Sequence, residues 1–176
     1  MVAWYIVEER HLDLNKERLL KYALAHDLVE AYAGDTVSIT SDDGTMRQKA
    51  VREHEASLRI QQEFPQFEEL HNFIQAYEQK ADKESKFVYV LDKVLPAINE
   101  YLTGSKWYIE QNISYDTYRD WALEKMHRAG YDAVEDGGIL DEILEFFKHH
   151  HEMFDHGNKE PAFPAGESNQ ADIQYK

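Results

Sequence analysis

The chain has 176 residues, enough for one domain whose core needs no disulfide or structural metal, and its lack of cysteine excludes disulfides, thiolate zinc sites and cysteine nucleophiles. A formal net charge of −15 repels phosphate backbones and argues against extended nucleic acid, although a small anion can still be held in a pocket by a metal and a few lysines. The opening MVAWYIV is too short to span a bilayer and lacks the leading basic residues of a signal peptide, so a cytoplasmic chain with no membrane partner is expected.

Apolar residues recur at helical spacing almost throughout, and no stretch sustains a period of two, which predicts an all-α fold. A first helix occupies residues 1–11. Asp13 or Asn15 caps a second, which reaches about residue 33, where Gly34 stops it and leaves His26, Asp27 and Glu30 in its last turns. A polar loop with Asp42, Asp43 and Gly44 leads to a third helix through Met46, Ala50, Leu58 and Ile60, and Pro65 opens a fourth through Phe67, Leu70, Ile74 and Tyr77. The fifth covers residues 83–102, with Phe87, Val88, Leu91, Val94, Leu95 and Ile98 on a broad apolar face; Pro96 is expected to bend it and Gly104 to end it. A sixth helix covers residues 114–129 before Gly130, and a seventh covers 139–154 after Asp136, Gly137 and Gly138. The helical domain is therefore expected to end near residue 155, and residues 156–176, polar and carrying Pro161 and Pro164, to form a tail that buries little.

Two places on this scaffold carry ionisable groups that call for explanation. In HDLVEAYAGD, residues 26–35, adjacent helical positions point about 100° apart, so His26 and Asp27 can clasp one ion from two sides, with Glu30 one turn beyond His26. Taken alone, the doublet decides nothing, because a solvated pair, or Asp27 as a cap, is the ordinary reading of such a pair near a helix end. Asp92, in FVYVLDKVLP, lies between Val88 and Leu95 on the most apolar face of the chain. A carboxylate placed there needs a cation, hydrogen-bond donors or a proton. A metal would serve, and so would an ion pair with Lys86, Lys93 or an arginine from another helix. Trp107, Tyr108 and Tyr115 form an aromatic patch that packs in the core, lines a pocket mouth or meets a second subunit. His54, His71, His127 and the run His149 to His151 sit in amphipathic helices among charged neighbours and are not assigned to a site.

Together, ALAHDLVEAYAGDT and ESKFVYVLDKVLPAINEYL resemble the HD-domain hydrolases, in particular the branch containing 5′-deoxynucleotidases, over about residues 1–102. The resemblance implies a phosphodiesterase-like helical bundle holding one divalent ion on a histidine, a His-Asp doublet and a distant aspartate, of which the last three ligands map onto His26, Asp27 and Asp92. It further implies that Glu30 assists proton transfer around an attacking water and that Asp35, after Gly34, helps shape the substrate pocket. Lys49, Arg52, Glu53 and Ala56 match the family's third helix. In relatives the first histidine belongs to a Glu-His-Ser motif ahead of residues like MVAWYIV, and here the chain begins just after that point. His11, the only earlier histidine, falls at the far end of the first helix and is not expected to reach the doublet.

The expected activity is that of a metal-dependent phosphohydrolase, a phosphomonoesterase on (deoxy)nucleoside monophosphates or similar small phosphates. The alternative is a catalytically silent helical module used for dimerisation or regulation. Lys86 and Lys93 are the expected phosphate contacts by charge and position. Mn²⁺, Co²⁺, Fe²⁺, Mg²⁺ and Zn²⁺ all suit mixed nitrogen and oxygen ligands. A small nucleotide and a second copy of the chain are the expected partners.

Overall fold

The computed structural model describes residues 1–131 and 137–154, and these contain helices and connecting turns but no strand. In chain order the helices are α1 (Val2–Glu9), α2 (Lys16–Ala25), α3 (Glu30–Ala33), α4 (Asp43–Glu63), α5 (Glu68–Glu78), α6 (Lys83–Thr103), α7 (Trp107–Glu110), α8 (Tyr115–Arg128) and α9 (Ile139–His149), followed by a 3₁₀ turn (His151–Met153). The fold is all-α, as the periodicity predicts. The turn residue Asp136 and the tail at 156–176 lie outside the described residues.

The long apolar stripe of α6 makes it the axis of the bundle. Phe87, Val88, Val90, Leu91, Val94 and Ala97 are all buried, and α1, α2, α5, α8 and α9 pack around them. Leu19 and Tyr22 of α2, Tyr118 of α8 and Phe147 of α9 complete this main core, each large side chain contributing roughly 1.5–3 kcal/mol by leaving water. A smaller cluster of Ala25, Val29, Ala56, Ile60 and Ile74 forms where α4 and α5 close over the end of α2. The start of α6 is fixed by a capping box: Asp82 accepts from the Ser85 backbone N–H at 2.8 Å, and Ser85 Oγ accepts from the Asp82 N–H at 3.1 Å. Buried Glu84 then accepts from the Asn15 backbone N–H at 2.8 Å, so the starts of α2 and α6 are tied side by side.

Several expected boundaries move. The second helix does not run unbroken to residue 33: α2 ends at Ala25, residues 26–29 form turns, and α3 adds one further turn before Gly34 at φ +75°. Across the break the backbone changes to i→i−3 bonds, Leu28 N–H to Ala25, Glu30 to Asp27, Ala31 to Leu28 and Tyr32 to Val29, the tighter 3₁₀ pattern. The fourth helix starts at Glu68, because Pro65 sits in the preceding turn rather than in the first helical turn. The last helix stops at His149, with His150 at φ −119° before the 3₁₀ turn. Pro96 does not interrupt α6, which continues to Thr103 and Gly104. Having no N–H, it leaves the Asp92 carbonyl without its usual donor. Among the described residues no helix is long and apolar enough to cross a membrane.

Candidate functional site

The break after α2 turns His26 and Asp27 toward α6. Tyr22 and Ala25 bury one face of α2 against the core, and Val29 anchors the far side of the break in the smaller cluster, so the three intervening residues are held at both ends. His26 is a fifth exposed. Its Nδ1 lies 3.0 Å from the Ala23 carbonyl, and its Nε2 lies 3.1 Å from Asp27 Oδ2. A carbonyl can only accept, so the Nδ1 carries the proton that bonds it. In the neutral ring this leaves the Nε2 lone pair facing a carboxylate oxygen, a contact that a proton on Nε2 or a shared cation makes favourable.

Asp92, on α6, completes the group. One ligand atom from each of His26, Asp27 and Asp92 lies within 4.8 Å of the others, against the ~4 Å spanned by two ligands on opposite sides of an ion with bonds of ~2.0–2.2 Å. Small side-chain rotations close that difference, and an imidazole with two carboxylates is a donor set suited to a divalent ion. The residues present therefore fit a metal. The Asp92 carboxylate also accepts from Lys93 Nζ at 2.7 Å and lies 3.5 Å from the Tyr77 hydroxyl. Burial drives the Tyr77 phenol far above its usual range, with Asp92 and Asp27 adding to the effect, so it stays neutral and can only donate to the carboxylate. Burial alone would lower the Lys93 ammonium, but Asp92 outweighs it and holds the lysine above its ordinary value.

Beside the three ligands opens a cleft of about 390 Å³, lined by Asp27, Glu30, Asp35, Asp92 and Lys93 among the expected residues. In a regular helix Glu30 would share the face of His26. In the tightened turns residues three apart eclipse, which brings Glu30 to the side of Asp27, and both line the cleft. Glu30 accepts from Lys49 Nζ at 3.2 Å. Burial raises its pKa more than Lys49 lowers it, and Asp35 and Asp27 push the same way as burial. Asp35 is exposed at the cleft rim, where its Oδ1 accepts from the Thr36 N–H at 2.6 Å.

Lys86 is not brought to this site. Six positions before Asp92, at ~100° each, it faces away from the cleft and donates to the Gly130 carbonyl at 2.7 Å, holding the end of α8. Lys49 takes the place expected for it. Mostly buried, it bridges Glu30 and Glu53, at 3.2 and 3.3 Å. Burial lowers its pKa, but the two carboxylates prevail and keep it charged. Its signals in the sequence are the i,i+4 spacing to Glu53 on a largely polar helix and its place in the stretch that resembles the family's third helix. His11, at φ +50° and exposed beyond α1, is not in the ligand group. Trp107 and Tyr108 line the cleft, joined by Trp121 and Glu100, whereas the Tyr115 hydroxyl donates to the Leu144 carbonyl and packs between helices.

A family model described as HD domain matches residues 1–133. The chain is similar to the 5′-deoxynucleotidase HDDC2 of Mus musculus, 37% identical over 82 residues that cover 46% of this chain and 40% of the relative. It is 35% identical to the Homo sapiens HDDC2 over 95 residues, 53% of this chain and 44% of that one. A Schizosaccharomyces pombe 5′-deoxynucleotidase, hdd1, is 38% identical over 87 residues, 46% of this chain and 42% of the relative. The chain thus spans less than half the length of the curated relatives it matches, and no solved structure matches it. Because the family model reaches from the first helix through α8, across both the break that carries the doublet and the helix that carries Asp92, the chain belongs to the HD-domain family.

Proposed function

We propose that this chain is a metal-dependent phosphohydrolase that removes phosphate from (deoxy)nucleoside monophosphates or similar small phosphates. The observation that carries the reading is the convergence of His26, Asp27 and Asp92 beside a cleft that also holds Lys49, Lys93 and an acid with a raised pKa. The relatives are 5′-deoxynucleotidases by name, which supports the substrate class.

His26, Asp27 and Asp92 would hold the divalent ion, Mn²⁺, Co²⁺, Fe²⁺, Mg²⁺ or Zn²⁺. When bound, such an ion supplies a Lewis acid for phosphoryl oxygens and lowers the pKa of water. The Ala23 carbonyl holds the His26 ring in the tautomer that presents Nε2. Lys93 and Lys49 bring positive charge to a cleft in an acidic protein, where it offsets the charge of the phosphate. In hydrolysis a water oxygen bonds to phosphorus as the ester P–O bond breaks. Glu30 takes the proton that the water loses, and the proton ends on the departing alkoxide. Its raised pKa suits it to exchange a proton nearer neutrality than an ordinary carboxylate does. The acid lies within reach of the cleft because the 3₁₀ turns swing it to the side of Asp27.

The deciding experiment measures phosphate release from nucleoside monophosphates with Mn²⁺ or Co²⁺, together with calorimetric ion affinity, for the chain and for Asp92→Asn. Turnover and ion binding, both lost in the variant, are expected. Ion binding and turnover that are absent from both proteins would replace the enzyme reading with the silent helical module.

A further inference from the structure

Asp35, Thr36, Val37, Ser38 and Ile39 all line the cleft, yet the segment that carries them, between α3 and α4, has neither helix nor strand along these five residues. The helix that leads into it, α3, is four residues long, far short of the length at which a helix stands without tertiary support. Where this wall lies therefore depends on what bonds to it. Toward α4, Ile39 packs on the main core and Ser41 Oγ donates to the Val37 carbonyl at 2.7 Å.

Toward α3 the wall is held by Arg52, half-buried on α4. Its Nε donates to the Ala33 carbonyl at 3.1 Å, and its Nη2 donates to Thr36 Oγ1 at 2.8 Å. The first bond satisfies a carbonyl in the last turn of α3, which has no donor within the helix. The second crosses the bend at Gly34, φ +75°, so the planar fork grips the chain on both sides of Asp35. Both partners are neutral. Although the chain has 34 acidic residues, no described carboxylate lies within ion-pair distance of Arg52. A guanidinium directed at a carbonyl and a hydroxyl acts through its geometry, not through charge balance. One turn earlier on the same face, Lys49 bonds Glu30. Helix α4 thus holds Glu30 by one side chain and the bend that bears Asp35 by another.

We propose that Arg52 is a positioning residue for the nucleotide, which by bridging Ala33 and Thr36 fixes the wall at residues 35–39 against which the substrate is held. The inference rests on the nucleotide reading given above. Arg52 itself is not among the residues that line the cleft, so it acts through the backbone it grips. The doublet precedes that grip, Asp92 lies on α6, and Lys49 holds Glu30 without it. Loss of Arg52 should therefore weaken nucleotide binding while leaving ion binding and proton transfer in place.

The test compares the chain, Arg52→Met, Thr36→Val and the double variant, with circular dichroism to confirm that each folds. Steady-state kinetics on dAMP with Mn²⁺ should show KM raised about 10- to 100-fold in Arg52→Met, the scale on which a misplacement of ~1 Å acts, with kcat within about threefold and calorimetric Mn²⁺ affinity within about twofold. Thr36→Val removes only the second bond and should raise KM as well. Adding Arg52→Met to it should raise KM by no more than about twofold further, because both changes break one tie. The Ala33 and Gly34 amides, bonded to the Val29 and Glu30 carbonyls at 3.0 and 2.8 Å, should exchange with deuterated solvent faster in Arg52→Met and at the parental rate in Thr36→Val. An unchanged KM or unchanged amide exchange in Arg52→Met, or losses that multiply in the double variant, overturns the proposal. If Arg52→Met does not fold, Thr36→Val decides, and an unchanged KM there overturns it. If no protein turns dAMP over, the hydrolase reading falls and the grip is judged by calorimetric dAMP affinity and amide exchange. Weaker affinity with faster exchange in Arg52→Met then sustains it, and parental values of either remove it.

Discussion

Asp82 sets how α6 lies against α2, and with it the approach of Asp92 to His26. Its carboxylate caps α6 through the Ser85 N–H, accepts from the Tyr22 hydroxyl at 2.7 Å and pairs with Arg18. In Asp82→Ala the cap, worth ~1 kcal/mol, disappears, and the Tyr22 hydroxyl, on a side chain with no exposed surface, loses its acceptor at a cost of ~1–3 kcal/mol. Arg18 is about half exposed, so its pair adds less than ~1 kcal/mol. The expected loss is therefore about 2–4 kcal/mol, or a fall in Tm of roughly 5–15 °C for a chain of this size. The pH dependence gives a second handle. Burial raises the Asp82 pKa, but the Ser85 N–H, Arg18 and Tyr22 together outweigh it and hold the carboxyl below its usual value. A carboxyl whose pKa is depressed on folding contributes its full stability above the unfolded value, ~3.9, and loses it as pH falls through the folded one. Urea unfolding followed by circular dichroism should thus show a constant gap between the chain and Asp82→Asn from pH 7 to about pH 5, narrowing below about pH 4. A loss under ~0.5 kcal/mol in Asp82→Ala, within the range of ordinary surface changes, or a gap that widens in acid, would refute the assignment.

Glu30→Gln should lower kcat/KM by ~10²–10⁴. The unaltered chain should gain activity as pH rises through the raised Glu30 pKa, placing the acid limb above that of an ordinary glutamate, and the variant should lack that limb. Lys49→Met, which removes a charge from the cleft, should lower kcat/KM by roughly 10- to 100-fold. Lys86→Met should leave kcat/KM within about twofold and cost stability alone, because its ammonium holds the end of α8. Steady-state kinetics on the two lysine variants side by side decides between them. Residues 156–176 carry few apolar side chains, so deleting them should shift Tm by less than ~2 °C in differential scanning calorimetry.

The long elements were legible because each rests on a strong local signal. Asp42, Asp82 and Ser114 cap α4, α6 and α8 close to where those helices were expected to start, and Gly34, Gly104 and Gly130 follow helix ends with positive φ. What periodicity could not show was the break at 26–29. Leu24, Leu28, Ala31 and Tyr32 continue a helical rhythm across it, and the change to three-residue turns depends on Val29 being gripped by α4 and α5, a tertiary effect. The same limit governed the lysines. Lys86 and Lys93 are both near Asp92 in sequence, but only one shares its side of α6, and Lys49 comes from a different helix.

The three-residue turns between α2 and α3 give this joint a character of its own. Bonds of that type have poorer geometry than those of a regular helix, and Leu24 and Leu28 on its outer side are left in water. Such a segment opens at less free energy than the core around α6. Any cation gripped by His26 and Asp27 would staple the joint shut, making occupancy and local order a single linked equilibrium. Amide hydrogens of residues 28–33 should exchange with deuterated solvent sooner than those of residues 87–97 and slow as ion is titrated in. The same weakness makes the joint a natural first cut for a protease, so resistance to digestion would report the loaded fraction of the protein without any substrate being turned over.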